Sequence, residues 1–114
     1  MKHQKVGRKF GRKTNQREAL MRSLALSLIN EGKIKTSLAK AKELRPYVEK
    51  IVTKAKINSV TSRRAVKSKL GADNKNLFDK VAPTYKDRSG GYTRITKLGN
   101  RASDGSQTAL IEFV

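Results

Sequence analysis

Residue types that perform acid–base or metal chemistry are scarce in this sequence. The chain has 114 residues, one histidine (His3) and no cysteine. These counts exclude a disulfide framework, a thiolate metal site, a cysteine nucleophile and a multi-histidine metal site. Because His3 lies in a strongly basic stretch, contact with a phosphate or a base is a better interpretation than general-base catalysis.

The nine acidic residues are scattered and do not form a recognisable catalytic group. Glu43 and Glu49 are six positions apart in a predicted helix, so they lie on different helix faces. The sequence contains neither a P-loop nor a GxGxxG motif. We therefore expect no enzyme activity, no catalytic residue, no metal site, no cofactor and no small-molecule substrate.

Basic residues are abundant, with 27 Lys and Arg against 9 Asp and Glu, which gives a net charge of +18. Such a charge repels itself in a folded protein and is tolerated when a polyanion neutralises it. A membrane surface is not expected to be that polyanion, because the apolar face of the first predicted helix is needed for the core. Without a secretory signal the expected location is the cytoplasm, with an organellar transit peptide as the weaker alternative.

The charge is concentrated at the N-terminal end. Residues 1–72 hold 20 basic and 4 acidic residues, a net charge of +16, whereas residues 73–114 have a net charge of +2. Residues 1–14 are predicted to be an extended basic arm, since they contain too little apolar surface to fold alone, and residues 15–114 a single globular domain. Arginine binds phosphate as a two-pronged donor, so Arg8, Arg12 and Arg17 are the best candidates for specific contacts.

Apolar spacing predicts the elements of the domain. Asn15 and Glu18 fit a capping box for a first helix, and Pro46 either kinks a second helix or begins a new one. Gly99–Ser106 is predicted to be a hairpin loop. The predicted elements are helix 16–31, strand 33–36, a helix capped by Thr36 or Ser37, helices 62–70 and 74–82 (the latter stopped by Pro83), and strands 92–98 and 107–114. The result is an α+β fold, with three or four helices on a small three-stranded sheet in the order α-β-α-α-α-β-β.

Two groups within the domain are candidate contacts for nucleic acid. Arg63 and Arg64 open a short helix that continues with basic residues. Arg88 and Arg94 flank a turn with two glycines, where a phosphate or another chain can approach closely. Tyr92 in that turn either stacks on a base or belongs to the core. These features predict nucleic-acid binding without separating RNA from DNA, because no helix-turn-helix, zinc finger, basic zipper or RNP-type motif is present.

Four blocks of the sequence resemble the bacterial large-subunit ribosomal protein family numbered seventeen. They are Lys2-His3-Gln4-Lys5-Val6-Gly7-Arg8, Lys35-Thr36-Ser37-Leu38-Ala39-Lys40-Ala41-Lys42-Glu43-Leu44-Arg45, Arg88-Ser89-Gly90-Gly91-Tyr92-Thr93-Arg94-Ile95 and Ala109-Leu110-Ile111-Glu112-Phe113-Val114. The blocks occur in order and span essentially the whole chain.

The resemblance implies a two-layer α/β fold and a structural, non-catalytic role in translation. It implies binding to large-subunit (23S-type) ribosomal RNA near the exit of the peptide tunnel, beside neighbouring ribosomal proteins that include the small one numbered thirty-two. The location implied is the large subunit of cytoplasmic ribosomes. The expected RNA-binding residues are Lys2, His3, Lys5, Arg8, Lys9, Arg12, Lys13, Arg17, Arg63, Arg64, Arg88, Tyr92 and Arg94. Two alternatives remain open: a DNA-compacting or regulatory protein, which the charge alone would explain, and an enzyme acting on nucleic acid, for which the sequence offers no good catalytic acid or base.

Overall fold

The computed structural model describes residues 14–71, 74–100 and 105–114. Its elements confirm the predicted α+β fold and the predicted order of helices and strands. The predicted arm up to residue 13 and the centre of the predicted hairpin loop, residues 101–104, lie outside the described residues. The elements are α1 (Thr14–Glu31), β1 (Lys33–Ser37), α2 (Leu38–Ile57), α3 (Val60–Leu70), a π-helical turn (Leu77–Val81), α4 (Ala82–Thr84), β2 (Thr93–Asn100) and β3 (Gln107–Phe113).

The three strands form an antiparallel sheet with β3 in the centre, in the order β1-β3-β2. Ile34 of β1 and Ile95 of β2 both pair in register with Ile111 of β3, and Ile111 is fully buried beneath the helices. Because side chains alternate along a strand, the next row places Lys33 and Arg94 on the opposite face, where both are exposed. The helices therefore cover one face of the sheet and leave the other open.

Helix α2 contributes the largest share of the core. It begins after Ser37, whose side chain accepts a hydrogen bond from the backbone nitrogen of Lys40 at 3.2 Å. Pro46 leaves the carbonyl of Lys42 without its helical donor, yet the helix continues to Ile57. A new helix beginning at Pro46 is therefore the wrong alternative. The apolar burial outweighs a proline cost of about 3 kcal/mol, since seven residues of α2 are buried: Leu38, Ala41, Leu44, Val48, Ile51, Val52 and Ala55.

The ends of α1 and α3 differ in part from the prediction. Helix α1 begins at Thr14, so Asn15 is its second residue and the predicted capping box at Asn15 is wrong. A capping box instead opens α3, where the Ser59 hydroxyl accepts from the Ser62 nitrogen at 3.1 Å and the Ser62 hydroxyl accepts from the Ser59 nitrogen at 2.8 Å. Helix α3 ends as predicted at Gly71, whose φ of 83° favours glycine.

The predicted helix over residues 74–82 is a π-helical turn followed by the short helix α4. Asn74 starts it, because its side-chain oxygen accepts a hydrogen bond from the backbone nitrogen of Leu77 at 3.1 Å. Pro83 does not stop the helix as predicted. The helical run continues through it and ends one residue later at Thr84.

Candidate nucleic-acid interface

The thirteen predicted RNA-binding residues divide into two groups. Six are described, and they lie on α1, on α3, in the segment before β2, and on β2. Their positions follow below. The other seven lie outside the described residues, so their role stays a prediction: Lys2, His3, Lys5, Arg8, Lys9, Arg12 and Lys13.

Arg17 lies in the first turn and a half of α1, immediately after the basic arm. Its Nη2 donates a hydrogen bond to the hydroxyl of Thr14 at 3.1 Å. Its Nε is shielded from solvent and has no hydrogen-bond partner among the described residues. An unpaired buried donor is costly, because it has lost its hydrogen bonds to water.

Arg63 and Arg64 lie in the first half of α3, as predicted, but only Arg63 is held in one orientation. Its Nε donates to the Asn58 side-chain oxygen at 2.7 Å, and its guanidinium lies 4.6 Å from the centre of the Phe78 ring. Asn58 can make this contact because it ends α2 in the left-handed conformation, with φ of 55°. The remaining N–H groups of this guanidinium face solvent. Because the side chain is already held in place, binding of a phosphate there would cost less side-chain entropy.

Tyr92 is the predicted residue whose position excludes its proposed role. Its side chain is 1% exposed, and its ring packs 5.2 Å from the ring of Tyr85. The Tyr92 hydroxyl accepts from Lys56 Nζ at 3.0 Å and lies 3.2 Å from the hydroxyl of Thr53. The predicted stacking of Tyr92 on a base is therefore wrong, because the core encloses the ring. The alternative prediction, a tyrosine that belongs to the core, is the one observed.

The segment before β2 is attached to α2 through Lys56. The Lys56 ammonium donates to the backbone oxygen of Arg88 as well as to Tyr92. Gly91 has φ of 63°, and a side chain there would meet no other atom within 4 Å. The turn is therefore open towards solvent, and Arg88 itself is exposed. Lys56 is occupied within the domain and is a poor candidate for contact with a phosphate.

Arg94 lies on the open face of the sheet. Its Nη2 pairs with Glu112 at 3.1 Å, although its side chain stays 61% exposed. Lys33 occupies the register position on the other side of Glu112, so two cations flank one carboxylate. Towards the other end of the sheet, a groove of about 510 Å³ has two lysines and no carboxylate in its lining, which consists of Lys35, Thr36, Ser37, Lys40, Leu98, Asn100 and Thr108.

A basic ridge on α2 was missed by the sequence reasoning. Pro46, Lys50 and Lys54 are spaced at i, i+4 and i+8, so they lie along one side of the helix. All three line a groove of about 550 Å³ towards α3 and a second groove of about 440 Å³ towards residues 89–92. The i, i+4, i+8 spacing of these residues was the signal that could have revealed the ridge. The sequence analysis considered the apolar residues of α2 and not this side of the helix.

The three tyrosines titrate differently because their surroundings differ. Burial raises the pKa of Tyr47 above its ordinary value of 10.0, with a smaller contribution from Glu18. Burial likewise raises the pKa of Tyr85. For Tyr92, burial also acts to raise the pKa, but the hydrogen bonds with Lys56 and Thr53 and the Lys56 charge outweigh it, so its pKa is lowered.

Within residues 14–71, 74–100 and 105–114, no three His, Cys, Asp or Glu side chains are grouped so that they could hold a metal ion. None of the helices in these ranges is long and apolar enough to cross a membrane. The arrangement presents cations on several surfaces, which suits contact with a polyanion.

Comparison with known proteins identifies the family. The family model described as ribosomal protein L17 matches residues 20–114. The chain belongs to the ribosomal protein L17 family. A protein of Sphingopyxis alaskensis named large ribosomal subunit protein bL17 is 52% identical over 100% of this chain and 84% of its own length. Proteins of the same name from Thermomicrobium roseum and Campylobacter jejuni are 48% and 47% identical, each over 100% of this chain and 99% of their own length.

Membership of the L17 family agrees with the resemblance carried by the four sequence blocks. The family model covers α1 from Leu20 onward and every element after it. The relatives extend the similarity through the basic arm, because their alignments include the whole of this chain.

Proposed function

We propose that this chain is a non-catalytic structural component of the large subunit of cytoplasmic ribosomes. In this role it binds large-subunit (23S-type) ribosomal RNA through its basic arm and surface and supports translation. The observation that carries the proposal is the charge: +18 overall, with +16 in residues 1–72, in a chain of the L17 family. Neutralising RNA phosphates releases condensed counterions and so favours binding.

In the proposed mechanism the arm and the domain have different roles. The arm enters between RNA helices and lowers their mutual repulsion, while the domain lies on the outside of the RNA. Arg63 and Arg94 support this proposal, since the first is oriented by Asn58 and Phe78 and the second stays exposed beside Glu112. We place the protein near the exit end of the peptide tunnel, beside neighbouring ribosomal proteins that include the small one numbered thirty-two.

Sedimentation of a cell lysate tests this function. The chain is followed through a sucrose gradient with and without ribonuclease treatment. We expect it to sediment with the large subunit and to leave that fraction when the RNA is digested. A peak with the nucleoid, or a free peak unchanged by ribonuclease, would contradict the proposal.

A binding measurement separates ribosomal RNA from DNA as the target. The purified chain is titrated with large-subunit ribosomal RNA and with duplex DNA of matched nucleotide content, at one salt concentration. We expect tighter binding to the RNA. Equal affinity for the two would favour a general nucleic-acid-compacting protein instead.

A further inference from the structure

The groove between α2 and α3 combines an apolar floor with a basic rim. Its volume is about 550 Å³, within the range of sites that enclose small molecules. Three lysines and one carboxylate give the lining a net charge of +2. The residues that line it are Glu43, Pro46, Tyr47, Lys50, Ile51, Lys54, Ala65, Val66 and Lys69.

The cations stand on both walls of this groove. Lys50 and Lys54 lie one helical turn apart on α2, a rise of about 6 Å, and neither forms an ion pair with another described residue. Lys69 stands opposite them on α3. Its ammonium lies 5.1 Å from the centre of the Tyr47 ring. An anionic chain that follows the groove therefore meets positive charge on each side.

The floor favours an unpaired nucleic-acid strand over a duplex. A duplex offers mainly phosphates and sugars to such a surface, whereas an unpaired strand also offers the faces of its bases. Tyr47 supplies an aromatic ring, and its hydroxyl donates to the backbone oxygen of Lys69 at 3.5 Å. Burial raises the pKa of Tyr47, so the ring is neutral at physiological pH and suited to stacking.

The groove also lies beside the point where the basic arm joins the domain. Arg22 of α1 donates to the backbone oxygen of Lys69 at 3.2 Å, and the charge of Glu18 acts on Tyr47. Thr14, the first described residue, precedes Glu18 by one helical turn. The first described turns of α1 are therefore close to the groove.

We propose that the α2–α3 groove binds an unpaired stretch of RNA, with phosphates at Lys50, Lys54 and Lys69 and a base against Tyr47. This inference rests on the proposed function and adds a second binding site to the arm. The groove confers a preference for unpaired over paired RNA, which charge alone does not provide.

Two triple variants of the full-length chain test the groove. The groove variant is Lys50→Gln/Lys54→Gln/Lys69→Gln. The control is Lys75→Gln/Lys80→Gln/Lys86→Gln, which removes the same charge from three exposed lysines that do not line the groove. Circular dichroism and thermal melting establish that both variants are folded.

Each protein is titrated with an oligouridylate of about ten nucleotides, a length within the range of single-strand site sizes, at several salt concentrations. Each phosphate contact on a single strand contributes about 0.7 to the slope of log affinity against log salt. We expect the groove variant to lose about 2 from that slope and the control to lose much less than 1. Equal losses in the two variants would overturn the groove as a binding site.

A third measurement tests the contact with a base. Oligouridylate carrying 4-thiouridine is crosslinked to the wild-type chain by ultraviolet light, and the attached peptides are identified by mass spectrometry. We expect crosslinks within residues 43–54 or 65–69. Crosslinks confined to residues 1–13 would overturn the proposal.

The same three proteins are titrated with large-subunit ribosomal RNA, which separates failure of the groove from failure of the proposed function. Tight, salt-dependent binding by the wild type and both variants, with equal single-strand slopes, would overturn the groove and leave the function intact. Absence of binding by the wild type would overturn both.

Discussion

The ammonium of Lys56 contacts Tyr92 in two ways. Its Nζ donates to the Tyr92 hydroxyl at 3.0 Å and lies 5.0 Å from the centre of the same ring. The ammonium also donates to the carbonyl of Arg88. One side chain of α2 thus fixes both ends of the segment that leads into β2, and it places the Arg88–Arg94 turn relative to the helices.

Replacing Lys56 by methionine should destabilise the domain while leaving its helices intact. The Tyr92 hydroxyl loses a charged donor, and hydrogen bonds to charged groups contribute about 1.5–3 kcal/mol. Urea unfolding followed by circular dichroism measures the change. Lys54→Met, two residues earlier and exposed, is the matched control and should change stability little. Equal stability of the two variants would show that the Lys56 contacts contribute nothing.

The tyrosines should titrate in a fixed order, with Tyr92 first. Its pKa is lowered because its contacts with Lys56 and Thr53 outweigh burial, whereas burial raises the pKa of Tyr47 and of Tyr85. The near-ultraviolet absorbance of tyrosinate reports the titration, and the chain has no tryptophan to obscure it. Single Tyr→Phe variants assign each step. In Lys56→Met the first step should move to higher pH; an unchanged first step would contradict the assignment.

Stability at alkaline pH should follow from these directions. Tyr92 loses its proton in the folded state before the unfolded state, so its contribution to stability grows as pH rises through its folded pKa towards 10. Tyr47 and Tyr85 act in the opposite sense, because above pH 10 the unfolded state loses their protons first. Their contribution is lost as pH rises through the folded pKa values. Urea midpoints measured from pH 8 upward in Tyr47→Phe and Tyr92→Phe should therefore diverge from the wild type in opposite directions.

The capping box at α3 should carry a measurable share of stability. Ser59→Ala removes the acceptor for the Ser62 nitrogen, and loss of an N-cap serine costs about 1 kcal/mol. Ser68→Ala, in the exposed part of the same helix, controls for helix propensity and should not destabilise. The urea midpoint is the readout, and a Ser59→Ala midpoint equal to that of Ser68→Ala would refute the cap's contribution.

Much of the fold was predictable because it depends on local spacing. In α2, the seven buried apolar residues from Leu38 to Ala55 recur at helical spacing, so the pattern marks both the helix and its buried side. In β3, the buried residues Ala109 and Ile111 are two positions apart, as the period of a strand requires. In both cases the signal lies within one element, since the period of the apolar residues follows from helix or strand geometry alone.

The rest depended on contacts between distant residues. The central position of β3 follows from its pairing with both β1 and β2, which no local pattern determines. The burial of Tyr92 depends on Lys56, 36 residues earlier in the chain. The α2–α3 groove has Lys50 on one helix and Lys69 on the other. The sequence shows both lysines, but the concave surface between them exists only once the two helices pack together.

Deleting residues 1–13 should leave a folded domain that binds RNA with a weaker dependence on salt. The described elements begin with α1 at Thr14, and among the residues that the structure describes the buried apolar core runs from Ala25 to Ile111. The deleted segment carries six Lys and Arg residues, and each phosphate contact contributes about 0.7–0.9 to the salt slope. If all six contact phosphate, the slope for large-subunit ribosomal RNA should fall by about 4–5.

A second variant keeps the full length of the chain and replaces those six basic residues by glutamine. It separates the effect of losing the arm's charge from the effect of shortening the chain. It should reproduce the slope of the deletion, since the proposed function assigns the arm's contribution to its charge. Thermal melting of both chains should match the wild type. Unfolding of the truncated chain would show instead that the arm belongs to the core, and an unchanged slope would show that the RNA is bound by the domain alone.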